Sequence, residues 1–166
     1  MSEPAAGNLS RRVVSALVER HLTIAVAESL TGGLLVAELI KTAGASAAVN
    51  GGIVAYHTRL KHTLLGVDLE LLDDHGPVHP EVARQMASGV RRALAVGDAA
   101  ADFGLATTGV AGPASQDGHP VGTVFLGLAH ARGVAARELA LSGSRAQIRS
   151  AVVTEALLWL LQELGA

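Results

Sequence analysis

Residues 22–27 (LTIAVA) form a short, partly β-branched apolar run that stops at Glu28-Ser29-Leu30-Thr31-Gly32-Gly33 and is followed at once by a helical stretch over residues 34–41. The run has the length of a strand rather than of a helix, and paired glycines let the chain turn within a few residues. Strand, tight turn and helix in that order open an α/β unit, so the rest of the chain is expected to keep returning to one sheet.

The other segments fit that expectation. Leu9, Val13, Val14, Leu17 and Val18 recur at helical spacing, with Arg11, Arg12, Glu19 and Arg20 on the opposite side. Residues 49–56 read as a second strand. Asn50-Gly51 is a hairpin signal, but residues 47–49 leave too little chain for a first arm, so Gly51 and Gly52 read as points of close approach. Helices are expected over residues 58–65, after Asp68, and from His79-Pro80-Glu81, the last with Val82, Met86, Val90 and Leu94 inward and Gly97 as its terminator. Residues 103–108 read as a third strand and residues 109–118 as a loop long enough to bind a ligand. Residues 122–131 and 134–141 pair around Arg132-Gly133, and a terminal helix covers residues 144–164. The pattern predicts an α/β fold, a three-layer α/β/α sandwich on a mixed, mostly parallel sheet of about five strands. Ligands bind such sheets at the carboxyl ends of strands, which directs attention to the turn after strand one, the end of strand two and the loop after strand three.

Composition excludes several classes of function. At 166 residues the chain has the size of one domain (~100–200 residues), expected over residues 1–166. A hydrophobic content of 49% excludes global disorder, and an aromatic content of 2% removes base-stacking platforms. Thirteen Lys+Arg against fifteen Asp+Glu leave no basic field, so no nucleic-acid partner is expected. Zero cysteines exclude disulfides, thiolate metal sites and a cysteine nucleophile. The opening MSEPAAGNLSRRVV lacks the basic-then-apolar order of a signal peptide, and no run of about 18 apolar residues occurs, which points to a soluble cytoplasmic protein without a membrane partner. His57, His62, His75 and His79 are the histidines nearest in sequence, but Gly76 and Pro77 break any helical pairing of the last two, so no metal and no cofactor are expected. An apolar-rich surface points to a homo-oligomer.

Three constellations can carry chemistry. Ser29 stands at a strand end with the N–H groups of a helix N-terminus behind it, an arrangement that suits an oxyanion or a phosphate or, more plainly, caps the helix. Lys61 lies beside Leu60, Leu64 and Leu65; a lysine among leucines can lose its proton and act as a base, or snorkel to the surface. Tyr56, before it, is either a site residue or an edge residue with a wet hydroxyl. Thr107-Thr108-Gly109-Val110-Ala111-Gly112-Pro113 ends a strand in a glycine loop. Arg145 opens the last helix, where the dipole disfavours a cation, so it either meets an anion or is solvated.

Taken in order, AES-x-TGG, GG-x-VAY with Lys61 five residues after Tyr56, HG-x-V before P-E-V-A, TG-x-AGP, PVGTV and SG-x-R resemble the CinA C-terminal domain family, whose members include nicotinamide mononucleotide deamidases. The resemblance runs from the first helix to Leu164. It implies a serine amidohydrolase that converts nicotinamide mononucleotide (NMN) and water to nicotinate mononucleotide and ammonia, in pyridine nucleotide recycling. On that resemblance Ser29 is the nucleophile and Lys61 its general base, with Tyr56 beside them. Thr31, Gly32 and Gly33 offer N–H groups to the oxyanion or the phosphate, Thr108, Gly109 and Gly112 line the nucleotide, and Arg145 contacts its phosphate. The nucleotide-processing domain that precedes this one in longer members has no room here, so the stand-alone form is expected. The chain departs from the family pattern at Leu30 (usually Cys), His57-Thr58 (Ser-Asn), His79 (Ser) and Ser144 (Asp), and its loop over residues 114–119 is short. Two alternatives compete with the deamidase: a nucleotide- or partner-binding module that has lost turnover, and an amidase for another small carboxamide.

Overall fold

The computed structural model describes residues 5–166, so the first four residues of the stretch read for targeting lie outside the described residues. The elements in chain order are α1 (Ala5–Glu19), β1 (Ile24–Glu28), α2 (Leu34–Ile40), β2 (Val49–Val54), α3 (Thr58–Leu65), α4 (Leu69–His75), α5 (Pro80–Ala93), β3 (Phe103–Gly109), β4 (Thr123–His130), β5 (Gly133–Ala140) and α6 (Arg145–Leu164). The sheet order is β2-β1-β3-β4-β5. β1 pairs in parallel with β2 and β3, and the ladders β3–β4 and β4–β5 are antiparallel, so the sheet is mixed and β4 alone runs against the rest. The expected α/β sandwich with five strands is what the chain forms. Among the described residues no helix is long and apolar enough to cross a membrane.

Alternation along the strands sorts two unequal faces. Ile24, Val26, Phe103, Leu105, Val124, Leu126 and Leu128 face one core, filled from the other side by Val13 and Leu17 of α1, Leu35 and Leu39 of α2, and Ile148, Val152 and Leu160 of α6. The opposite face carries Ala25, Ala27, Ala106 and Ala129, against Leu65, Val82, Met86 and Val90 of α3 and α5. Small residues there let α5 lie almost on the backbone of the sheet. A Cβ on Gly104 would stand 2.0 Å from the Ala87 carbonyl oxygen, and one on Gly127 2.0 Å from that of Ala83. Neither obstacle is a side-chain tip that can swing away. Gly104→Ala is therefore expected to destabilise the fold by about 3 kcal/mol, as overpacking does, read as a drop in the urea midpoint with little change in slope.

Several boundaries differ from expectation by a few residues, two of them for a visible reason. α5 ends at Ala93 with Leu94 as its C-cap rather than at Gly97, because Arg91 Nε turns to the Ala101 carbonyl oxygen (2.8 Å) and residues 96–99 form a turn of their own. β2 ends at Val54 rather than residue 56, after which the Ala55 N–H donates to the Glu28 carbonyl oxygen (2.8 Å) and the chain turns into α3. Gly51 and Gly52 are strand positions as read: a Cβ on Gly52 would meet Val36 of α2 at 2.9 Å.

Candidate active site

The order β2-β1-β3 places β1 between two parallel neighbours reached by connections leaving in opposite directions, and the carboxyl end of β1 is therefore a point where a crevice opens. β1 ends in Glu28, which is fully buried. Its carboxylate accepts the N–H groups of Gly33 (3.0 Å), Leu35 (3.0 Å) and Val36 (2.9 Å), satisfying donors that a helix N-terminus would otherwise leave open. Gly32 and Gly33, with φ of 60° and 98°, make the left-handed turn that carries the chain from Ser29 into α2.

Ser29 follows Glu28 and donates its N–H to the Thr107 carbonyl oxygen at 3.0 Å, which extends the β1–β3 ladder by one bond. Its Oγ accepts a hydrogen bond from Lys61 Nζ at 3.0 Å. Lys61 projects inward from the first turn of α3 and is only 1% exposed; a second Nζ–H goes to the Ala55 carbonyl oxygen at 2.8 Å. No carboxylate among the described residues pairs with it. Uncompensated burial pushes the ammonium down from 10.5 to about 8. The leucines beside it in sequence do not cause this. Leu60 and Leu64 are 37% and 44% exposed, and Leu65 alone is buried; what encloses the ammonium is its seat against Ser29 and Ala55, the residues that follow β1 and β2.

Ser29 and Lys61 open onto a cavity of about 170 Å³ that is also lined by Tyr56, Thr108, Gly109, Gly112 and Arg145. Arg145 spans its mouth, donating from Nη1 to the Gly112 carbonyl oxygen (2.6 Å) and from Nη2 to the Tyr56 hydroxyl (3.0 Å). Tyr56 is thus a rim residue, 60% exposed, engaged with Arg145 rather than with Ser29. Thr108 donates its hydroxyl to the Pro77 carbonyl oxygen at 2.6 Å, which fastens the segment before α5 to the end of β3. Seven of the ten residues singled out from the sequence therefore meet at one cavity.

Thr31, Gly32 and Gly33 do not. The Gly33 N–H belongs to Glu28, the Gly32 N–H closes the turn on the Ser29 carbonyl oxygen (3.1 Å), and Thr31 is buried with its hydroxyl 2.8 Å from that of Thr107. The Gly32 and Gly33 N–H groups expected to face a ligand are thus spent inside the turn, one on the Ser29 carbonyl oxygen and the other on the Glu28 carboxylate. Glu28, Arg149 and the wall formed by Pro77 and Val78 were not singled out from the sequence. An acid at a strand end, one tight turn before a helix, is a readable signal for Glu28, whereas Arg149 has none.

The CinA C-terminal domain model matches residues 6–164. The chain belongs to the CinA C-terminal domain family. A CinA-like protein of Frankia casuarinae is 50% identical over 145 residues, covering 87% of this chain and 32% of that protein. A competence-damage inducible protein of Desulforamulus reducens is 47% identical over 141 residues, covering 85% and 33%. The chain thus spans about a third of the length of these curated relatives. Among solved structures, the competence/damage inducible protein CihA of Agrobacterium tumefaciens superposes with a TM-score of 0.90 at 35% identity and full coverage of both chains. A CinA superfamily protein of Klebsiella pneumoniae gives 0.90 at 29% identity, covering 96% of this chain and 98% of its own.

The departures from the CinA pattern fall mostly on helix caps. His57 Nδ1 accepts the Arg59 N–H, His79 Nδ1 accepts the Glu81 N–H, and Ser144 forms a reciprocal capping box with Gln147. These side chains start α3, α5 and α6. Leu30, where the CinA pattern has Cys, is 3% exposed and belongs to the core beneath the turn. Thr58 lines the cavity.

Proposed function

We propose that the chain is a serine amidohydrolase that hydrolyses the carboxamide of NMN to nicotinate mononucleotide and ammonia, serving pyridine nucleotide recycling in the cytoplasm. The observation that carries this reading is the 3.0 Å hydrogen bond between a buried, carboxylate-free lysine and a serine hydroxyl at the wall of a cavity. With Lys61 neutral, its lone pair accepts the Ser29 proton while the Ala55 carbonyl holds one of its N–H bonds and aims it. Ser29 Oγ attacks the carboxamide carbon, and the Lys61 ammonium returns the proton to the departing nitrogen, which leaves as ammonia. A water deprotonated by Lys61 then cleaves the resulting ester and frees the carboxylate. The chemistry uses no cysteine, histidine or metal.

Incubation with NMN, nicotinamide riboside and other small carboxamides, with ammonia as the readout, tests the reading. Ammonia from NMN supports it. Ammonia only from other amides would assign a different substrate, and saturable NMN binding without ammonia would make the protein a binding module.

Arg145 at the mouth is the cation available to the substrate phosphate, provided that the phosphate displaces the Tyr56 hydroxyl and the Gly112 carbonyl as its partner. Arg145→Ala is then expected to weaken NMN by the value of a charge-assisted hydrogen bond, roughly 1.5–3 kcal/mol, and to leave the phosphate-free riboside nearly unaffected. Titration calorimetry with both ligands decides it; equal weakening of the two removes Arg145 from the phosphate.

A further inference from the structure

Arg149 lies one helical turn beyond Arg145 on α6, is half-buried, and donates from Nε to the Leu30 carbonyl oxygen (2.9 Å) and from Nη2 to the Thr31 carbonyl oxygen (2.8 Å). All of its recorded partners among the described residues are these two main-chain oxygens; no carboxylate compensates it. A half-buried cation is not what α6 needs for packing, since Ile148, Val152, Leu157 and Leu160 already dock it. It also stands four residues from a second arginine, a spacing at which like charges repel.

We infer that Arg149 is a positioning residue for the turn that carries Ser29, an inference that rests on Ser29 being the nucleophile. Its planar fork fits two successive carbonyls, which a point charge cannot do. A trans peptide directs the N–H opposite to its C=O, so fixing the Leu30 and Thr31 carbonyls toward α6 sends the N–H groups of Thr31 and Gly32 away from it. The Gly32 N–H accordingly closes on the Ser29 carbonyl oxygen. Glu28 holds the same turn through N–H groups, so two charged side chains, one accepting and one donating, fix its backbone. A Cβ on Gly32 would lie 3.3 Å from Arg149 Nη2, so the guanidinium rests close against this glycine. What the grip secures is the separation of Ser29 Oγ from Lys61 Nζ, which acid–base chemistry requires; the Ser29 N–H bond to Thr107 anchors the strand side of the turn and Arg149 its helix side.

The test uses Arg149→Met, which keeps the aliphatic stem and removes the fork, and Arg149→Lys, which keeps the charge and loses the fork. Both are followed by steady-state ammonia release from NMN and by the rate at which phenylmethylsulfonyl fluoride labels Ser29, located by peptide mass. The expected result is a kcat about 100-fold lower in both variants, with KM held within a small factor, as for a misplaced rather than a missing reacting group. Labelling slows in parallel. A lysine variant with wild-type kcat, or a KM that rises while kcat holds, overturns the inference; so does wild-type labelling in a folded variant. If Arg149→Met does not fold, the lysine variant decides alone. Wild-type protein that is labelled at Ser29 but leaves NMN intact refutes the substrate assignment only, and the labelling rates still decide the role of Arg149. Wild-type protein that resists labelling at Ser29 overturns both.

Discussion

Lys61→Arg is expected to be as inactive as Lys61→Ala, although it keeps the charge. The base must spend part of its time as a neutral amine, and a guanidinium with a pKa above about 12 does not. Lys61 meets the requirement because burial without a carboxylate partner lowers its pKa to about 8. For wild-type protein, turnover should rise with pH, gaining about tenfold per unit below that value and levelling above it, since the uncharged form is the competent one. Stability carries the same signature. Between about 8 and 10.5 the unfolded lysine holds its proton and the folded one has released it, so the unfolded state binds more protons and stability rises with pH through that window. Below it both states are protonated, and the folded protein bears the full cost of a buried ammonium. A pH–rate profile of the wild type, with a folded Lys61→Arg assayed alongside, checks the kinetic statements. An active arginine variant would leave Ser29 without a base.

Ser29→Ala is expected to lower ammonia release below about a thousandth of wild type while the melting temperature and NMN binding hardly change, since loss of a nucleophile costs at least ~10³ in rate. The hydroxyl makes one hydrogen bond, from Lys61, and Lys61 keeps the Ala55 carbonyl as an acceptor, so little stability depends on it. The turn itself is held by Glu28 and by the Ser29 main chain, which the substitution leaves intact. Ammonia release by the purified variant, with calorimetric binding of NMN as the control for folding, decides the matter. Turnover above that level would rule out a covalent path through Ser29.

Both predictions concern residues that stand out in the sequence, and the reasons they stand out are unequal. Ser29 is legible because a strand end followed by paired glycines is a local pattern. Arg145 is legible because a cation at a helix start violates a local preference, and its hydrogen bonds to Gly112 and Tyr56 give it a structural partner on each rim. Lys61 is noticed for three leucine neighbours, two of which, Leu60 and Leu64, face solvent. The Gly33 donor is misread for a related reason: helix N-termini advertise free N–H groups, and nothing in the pattern of residues 31–33 says that Glu28 folds back to take this one.

The sequence by itself determined the order of strands and helices, the start of α5 at His79-Pro80, the close approach at Gly52, and the family. Each of these has its cause within a few residues, in turn chemistry, side-chain alternation or the reach of a short side chain to its own backbone, or in motifs that stand in order along the chain. Only the tertiary structure decided that Lys61 is dehydrated against a serine 32 positions away and that Arg149 grips carbonyls 118 and 119 positions distant. Dehydration is a property of everything packed around a group, and a backbone carbonyl is gripped or free according to which side chains arrive from elsewhere. Local spacing carries neither quantity, and the packing of α3 and α6 supplies both.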